Sequence, residues 1–509
     1  MNLRAPARHG DWVCVPDPLN WREIIAGNQR LSSSLPGDLG DIRSIFRQEA
    51  RLIDKPVIMT GHQPEWFHPG VWAKNFLADK IARMCKGHSC HCVIDSDVPK
   101  SGWWKLPDIK SPGFIKCIPF MALKNGQVPW EFQPAPSAHD LDQSLGIVET
   151  LTNGWGSKAL VSLCRNSLAG TAKWSNAGEL FSMARIYVEN SLGLSLRYLY
   201  ASHIFAYQSF MRFLVKLFQE IRLASHHYNS SVHAFRVSHG IQSPGRPIPF
   251  LIRCDDWFEA PLWLFSSQSP SRSRLWIRPG IDGFDLRSDD GRFQLQCPSN
   301  RSEDLFQFLQ NITAQGLRIR PRALLTSVWL RVFASDLFIH GIGGAIYDEM
   351  TDPWIRNWLG IDPPISVACT LTAKLLSPRP QHASSEIHLL KSFLRRVTWH
   401  AETVVNQNDC SPDFAKKTDE KRRLVAWEPS DPHGKKWRCL ALRRINKSLA
   451  DSVEDSVERM AKNARSIVDN EAVWKAEESL VQSRELPWIV HPADEIETLM
   501  HNLTEGITS

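Results

Sequence analysis

The run Ser335-Asp336-Leu337-Phe338-Ile339-His340-Gly341-Ile342-Gly343-Gly344-Ala345-Ile346-Tyr347-Asp348 constrains the chain more than any other stretch. Leu337, Phe338 and Ile339 form a short apolar run of the kind a buried strand carries, and glycines follow almost at once. Gly341, Gly343 and Gly344 remove side chains where backbone must turn tightly or come close to a ligand. The residues after them can open a helix, whose first N–H groups lack partners and attract anions. Strand, glycine turn and helix in that order predict an α/β sheet. His340, Gly341, Gly343 and Gly344 become the cofactor-binding candidates, with a phosphate or carboxylate as the expected ligand. A tight turn that binds nothing gives the same pattern.

A second unit of this kind lies upstream. Val57 to Met59 reads as a buried strand, Thr60-Gly61-His62-Gln63-Pro64 as a polar turn, and Val71 to Met84 as an amphipathic helix. Ligands of open α/β sheets sit beyond the carboxyl ends of the strands. Thr60 and Gly61 are therefore expected at the cofactor. His62, Gln63 and His68 are the catalytic candidates, because a histidine there can donate a hydrogen bond to developing phosphate or carboxyl charge. The following strand, from His88, ends in acids. If it continues, a side-chain period of two puts Asp95 and Asp97 on one side. Asp97 joins the catalytic set, and Asp95, Lys100 and Ser101 are expected to hold a substrate amine or hydroxyls. Glu259, Tyr347 and Asp348 complete the substrate set. An acidic turn between strands is the commoner meaning of Asp255, Asp256 and Glu259.

Cys85, His88, Cys90, His91 and Cys92 place five soft-metal ligands in eight residues. Zinc sites commonly draw on two separated ligand pairs, and no second cysteine pair follows, so zinc is not expected.

A chain of 509 residues is too long for one ordinary core. The pattern divides it into a lead-in over 1–55, an α/β core over 56–380 with a helical insertion near 178–235, and a helical arm over 381–509. Residues 178–224 read as helices throughout, and Lys435 to Val468 as one helix. Leu449, Val453, Val457, Met460, Ala464 and Ile467 repeat there at coiled-coil spacing. Lys416 to Lys447 holds eleven Lys/Arg against four Asp/Glu. The net charge of the whole chain is only +6, so general nucleic-acid binding is not expected. The N-terminus has no apolar signal region, and no apolar run reaches the roughly 18 residues of a membrane span. A cytoplasmic protein with reduced thiols is the expectation.

Taken together, these stretches resemble the bacillithiol synthase family, the cysteine-adding ligases. Thr60 to Pro64 resembles that family's Thr-Gly-Gln-Gln segment before a helix. The run from Arg320-Pro321-Arg322-Ala323-Leu324 through His340 to Gly344 resembles its strand and glycine-rich turn. The late helical hairpin matches its coiled-coil region in place. The resemblance implies a Rossmann-like core related to class I nucleotidyltransferases, with a C-terminal helical hairpin or coiled-coil arm that would make a homodimer. It also implies an ATP- or ADP-type nucleotide site and the joining of cysteine to the amine of glucosaminyl-malate. Three departures stand out. His62 replaces the first Gln of the family segment, Asp95 to Ser101 lacks the acid-His-Asp cluster, and the glycine order at Gly341–Gly344 differs. The expected function is a ligase joining an amino acid, cysteine first, to a sugar-acid amine. The alternative is a non-catalytic protein of the same fold that holds a nucleotide or sugar acid.

Overall fold

The computed structural model describes residues 3–108, 115–124, 126–153, 158–168, 174–243, 245, 248–375, 384–405, 411–453, 455–471, 483–484 and 486–507. Two compact units divide the chain. One comprises Met1–Asp108, Lys116–Leu375 and Ser483–Ser509, and the other Ile109–Ile115 and Leu376–Gln482.

In chain order the strands are β1 (Trp12–Val15), β2 (Val57–His62), β3 (His88–Val93), β4 (Trp103–Pro107), β5 (Ile115–Pro119), β6 (Arg197–Tyr200), β7 (Arg253–Cys254), β8 (Trp257–Ser266), β9 (Ser273–Pro279), β10 (Phe284–Ser288), β11 (Gln294–Cys297), β12 (Leu317–Pro321), β13 (Leu337–His340) and β14 (Val367–Leu371). The fold is mixed α/β. Its first sheet runs β1-β14-β13-β2-β3-β6. All its neighbours are parallel except the edge pair β1–β14. The chain goes from β2 outward to β3 and β6, then returns to β13 and β14 on the other side of β2. Strand order thus reverses between β2 and β13.

Those two strands are central because their sequences suit it. Val57, Ile58, Met59, Leu337 and Ile339 are fully buried, as a parallel strand covered on both faces requires. Each such side chain stabilises the fold by roughly 1.5–3 kcal/mol. Asp336 fixes where β13 begins. Its carboxylate accepts from the Val57 amide at 2.7 Å, from Arg43 at 2.6 Å and from Arg47 at 3.0 Å. Helix Pro69–Met84 lies across β14, β13, β2 and β3. The second sheet, β11-β10-β9-β8-β12 with β7 beside β8, is antiparallel.

Three expectations about elements of the first unit change. The lead-in contributes β1 to the first sheet as well as two helices, Trp21–Ser33 and Gly37–Glu49. The stretch 178–224 is not helical throughout, because Gly193 (φ 80°) ends helix Ala177–Ser191 and β6 follows as the sheet's other edge. Its sequence, Arg-Tyr-Leu-Tyr, carries aromatic residues that suit a strand. Residues 483–509, expected in the arm, cluster with the first unit. There Trp488 is buried, with its ring 4.9 Å from that of Trp72, and helix Ala493–Gly506 packs on helix Pro69–Met84.

The second unit contains helices Ser384–Trp399, Pro412–Ala426, Pro432–Ala450 and Asp455–Asp469. The single helix expected over 435–468 is broken after Ala450. Asp451 and Ser452 sit in the turn, residues whose short polar side chains compete for backbone groups; the Ser452 hydroxyl donates to the Ser448 carbonyl at 2.7 Å. Of the expected seam, Leu449, Val457 and Ala464 are buried and Met460 is exposed. Among the described residues, no helix is long and apolar enough to cross a membrane.

Candidate functional site

A cavity of about 400 Å³ opens at the carboxyl ends of β2, β3 and β13. Its floor is Gly61, His62 and Gln63 from β2, Ile94, Ser96 and Asp97 after β3, and Phe338 and His340 from β13. The second sheet and the segment after it supply Trp263, Arg272, Pro321, Arg322, Thr326 and Ser327. The volume lies within the range of small-molecule sites. The position is where strand order reverses, the place at which open parallel sheets hold ligands.

Local sequence explains the floor. A Cβ on Gly61 would stand 3.0 Å from the Cys92 carbonyl oxygen, so glycine is what lets β2 run this close to β3. The Gly61 carbonyl accepts from the buried Lys74 ammonium at 3.0 Å. His62 lies 4.4 Å, ring to ring, from Phe67. Burial, then the charges of Lys74 and Lys100, hold its pKa well below the ordinary histidine value, so the ring is neutral at pH 7. Its Nδ1 is 3.2 Å from the Gln63 carbonyl. Donation there leaves the lone pair on Nε2.

Gln63 and Asp97 are tied together. The Gln63 amide donates to Asp97 Oδ2 at 2.6 Å, and its oxygen accepts from the Trp130 indole at 3.3 Å. Asp97 Oδ1 accepts from Arg272 at 2.8 Å and from the Val98 amide at 2.8 Å. Arg322 donates to the buried Glu259 at 2.5 Å. The guanidinium carbons of Arg272 and Arg322 lie 4.6 and 4.9 Å from the centre of a Trp263 ring, a cation–π arrangement. Lys100, exposed at the rim, pairs with Glu65 at 2.9 Å. The cavity therefore has three basic side chains on its walls, Lys100, Arg272 and Arg322, and Asp97 as its lining carboxylate. Each arginine is oriented by one carboxylate and keeps further N–H groups, a fork that suits carboxylate or phosphate.

His340 closes one side. Its Nε2 lies 3.0 Å from Asp348 Oδ2. Asp348 is also 2.9 Å from Arg331 and accepts from the Ser366 hydroxyl at 2.5 Å. Burial opposes its ionisation, but His340, Arg331 and Ser366 hold its carboxyl well below the usual range.

Of the residues singled out from sequence, Gly61, His62, Gln63, Asp97, Lys100 and His340 line this cavity. The others do not. Thr60 straps two strands together, its hydroxyl donating to the Ile339 carbonyl at 2.9 Å. His68 caps helix Pro69–Met84: Nδ1 accepts from the Gly70 amide at 2.9 Å and Nε2 donates to the Ala373 carbonyl at 2.8 Å. Burial lowers its pKa to about 4, and both ring nitrogens are used.

Asp95 and Asp97 part company because β3 stops at Val93, so the strand period no longer governs them. Asp95 turns inward to Ser202, accepting from its amide at 2.8 Å and its hydroxyl at 2.5 Å. Burial, then Glu131, raises its pKa to about 7. Ser101 is exposed and donates to the Trp103 carbonyl at 3.1 Å. Glu259 serves Arg322 and the Ile252 amide instead of a substrate amine. Tyr347 packs half-buried on the core, and Asp348 stands behind His340.

Gly341 caps helix Ile342–Trp354 and Gly343 lies in its first turn; neither lines the cavity, and a Cβ on either would meet nothing within 4 Å. Gly344 differs, since a Cβ there would stand 2.5 Å from His340 Nδ1. The cysteine-histidine cluster is dispersed by the strand period. Cys90 and Cys92 face the core, while His91 pairs with Asn75 at 3.0 Å. Among the described residues, no three His, Cys, Asp or Glu side chains converge as metal ligands.

Sequence reasoning missed Trp263, Arg272 and Ser96. Only Arg322 carried a signal, as the third arginine of the Arg318-Ile-Arg320-Pro-Arg322 run. Its neighbour Arg320 is held by Glu131 at 3.0 and 3.1 Å, and Arg318 donates to the Thr313 and Leu317 carbonyls. No protein-family model matches this chain, and comparison with curated proteins finds no match.

Proposed function

We propose that the chain is a ligase of the bacillithiol synthase type, with a Rossmann-like core that binds a phosphate- or carboxylate-bearing ligand in the cavity. One observation carries this reading: the reversal of strand order between β2 and β13 coincides with a wall of three cations, Lys100, Arg272 and Arg322, beside the Trp263 ring. A nucleotide presents a flat ring and anionic oxygens, and that wall complements both. In this reading an amino-acid carboxyl, cysteine first, is activated as a nucleotide ester or phosphate. The amine of a sugar acid then attacks its carbonyl carbon, the acyl C–O bond breaks, and the nucleotide monophosphate or inorganic phosphate leaves. His62 Nε2, neutral and unprotonated, takes the proton the amine sheds, and Gln63, held by Asp97, orients the acceptor. The helices of the second unit support a hairpin arm through which two copies pair.

The test is calorimetric titration of the full chain with ATP, ADP and AMP, repeated with Lys100→Ala and Arg322→Lys. A charged hydrogen bond is worth roughly 1.5–3 kcal/mol, so either variant should weaken nucleotide binding by about ten- to a hundredfold. Unchanged binding in both variants, or no nucleotide binding by the native chain, refutes the assignment. Cysteine-dependent amide formation with an amino-sugar acid is the assay that follows.

A further inference from the structure

Cys14 on β1 and Cys369 on β14 are directly opposed in the antiparallel register of the sheet's edge. Their sulfurs are 2.8 Å apart, and both are free thiols. Directly opposed residues of an antiparallel pair have Cα atoms about 4.5–5.5 Å apart, inside the range a disulfide spans. The two side chains already point at each other, so bond formation needs no movement of either strand. Cys14 is half-buried and Cys369 is 1% exposed, so a small oxidant meets Cys14 first. Burial, then Cys14 itself, holds the Cys369 thiol well above the ordinary cysteine value, and the Lys74 ammonium opposes this only in part, so Cys14 is the attacking thiol and Cys369 the resolving one. The same Lys74 Nζ holds the Gly61 carbonyl at the cavity floor.

We propose that Cys14 and Cys369 are a thiol–disulfide modification site that reacts with small-molecule disulfides and links the edge strand β1 covalently to β14. The chemistry is a double exchange. The Cys14 thiolate attacks one sulfur of the small disulfide and releases one thiol. The Cys369 thiolate then attacks the Cys14 sulfur of the mixed disulfide and releases the second. Two protein thiols are oxidised, one small disulfide is reduced to two thiols, and the two protein protons end on those thiols. Among the other described cysteines, Cys90 and Cys92 are buried two residues apart on one strand, Cys164 and Cys297 are buried elsewhere, and Cys85 is half-buried after helix Pro69–Met84. Cys117, Cys254 and Cys439 are exposed and are expected to form only mixed disulfides.

The experiment equilibrates the reduced full chain with graded mixtures of reduced and oxidised glutathione, quenches with acid, and maps thiols by peptide mass spectrometry. The expected result is one internal cross-link, between the peptides of Cys14 and Cys369, formed with loss of two hydrogens and reversed by dithiothreitol. The thermal unfolding midpoint should rise in the oxidised chain and should not rise in Cys14→Ser or in Cys369→Ser. Two variants are used because Cys369 is buried and its replacement can itself disturb folding. A folded native chain that acquires only glutathione adducts, or that cross-links Cys14 to Cys369 only after denaturation, overturns the proposal.

Discussion

Two neighbouring glycines at the start of helix Ile342–Trp354 separate steric need from helix propensity. Replacing either glycine by alanine gains up to about 1 kcal/mol of helix propensity. At Gly343 nothing lies within 4 Å of the added methyl, so the gain stands alone. At Gly344 the methyl would sit 2.5 Å from His340 Nδ1, 3.2 Å from its Cγ and 3.4 Å from its Cβ. The imidazole cannot retreat freely. It is 6% exposed, its Nε2 is 3.0 Å from Asp348, and its ring centre is 4.5 Å from that of Phe338. Overpacking of this kind costs about 1–3 kcal/mol. Because propensity contributes alike to both variants, the difference between Gly343→Ala and Gly344→Ala isolates the steric cost, about 1–3 kcal/mol with Gly344→Ala the less stable. Urea unfolding followed by tryptophan fluorescence measures it as the difference in midpoints at a common slope. Ligand titration gives a second readout, since displacing His340 should disturb the cavity and Gly343→Ala should leave it intact. If the two variants agree within about 0.5 kcal/mol, a size the method still resolves, Gly344 is not there to make room for His340.

Other consequences can be measured separately. Asp336→Asn keeps the shape of the anchor but leaves Arg43 and Arg47 without their carboxylate, so it should destabilise the first unit by about 3–5 kcal/mol in thermal or urea unfolding; a loss below about 1 kcal/mol, the size of an ordinary surface pair, would mean that Asp336 is no anchor. Asp95 has its pKa raised to about 7, so the folded chain keeps a proton there that the unfolded chain loses near pH 4. The sign follows: stability falls as pH rises from about 4 to about 7 and stays lower above, by on the order of 2–4 kcal/mol. Asp95→Asn, neutral throughout, should therefore gain on the native chain between pH 5 and pH 8, and a stability difference that is flat over that range counts against the buried proton.

The parallel core was legible because its two central strands carry continuous apolar runs, Val57 to Met59 and Leu337 to Ile339, each followed by a glycine. Edge strands were harder to read. Trp12-Val13-Cys14-Val15 and Arg197-Tyr198-Leu199-Tyr200 are only half-buried, and four residues of weak alternation resemble a loop or the end of a helix. Within the site, the residues that sequence placed well are those that leave β2 and β13 directly, His62, Gln63 and His340. Their positions follow from the strand alone. Asp95 and Asp97 show where that logic ends. They are the same residue type two positions apart, yet one faces Ser202 and a buried glutamate and the other faces Arg272. What separates them is the end of β3 at Val93 and the partners that other elements bring.

Trp263 and Arg272 belong to the same limit. They reach the cavity from the antiparallel sheet, about 200 residues from His62 in the chain, and their local patterns describe only a strand and a serine-rich turn. A period of two can say which face of a strand a side chain takes, but not what stands opposite that face. The cationic wall exists because Glu259 and Asp97 each hold an arginine against one indole. An aspartate expected to do chemistry and a glutamate expected to bind an amine each hold, in the fold, an arginine of the cavity wall.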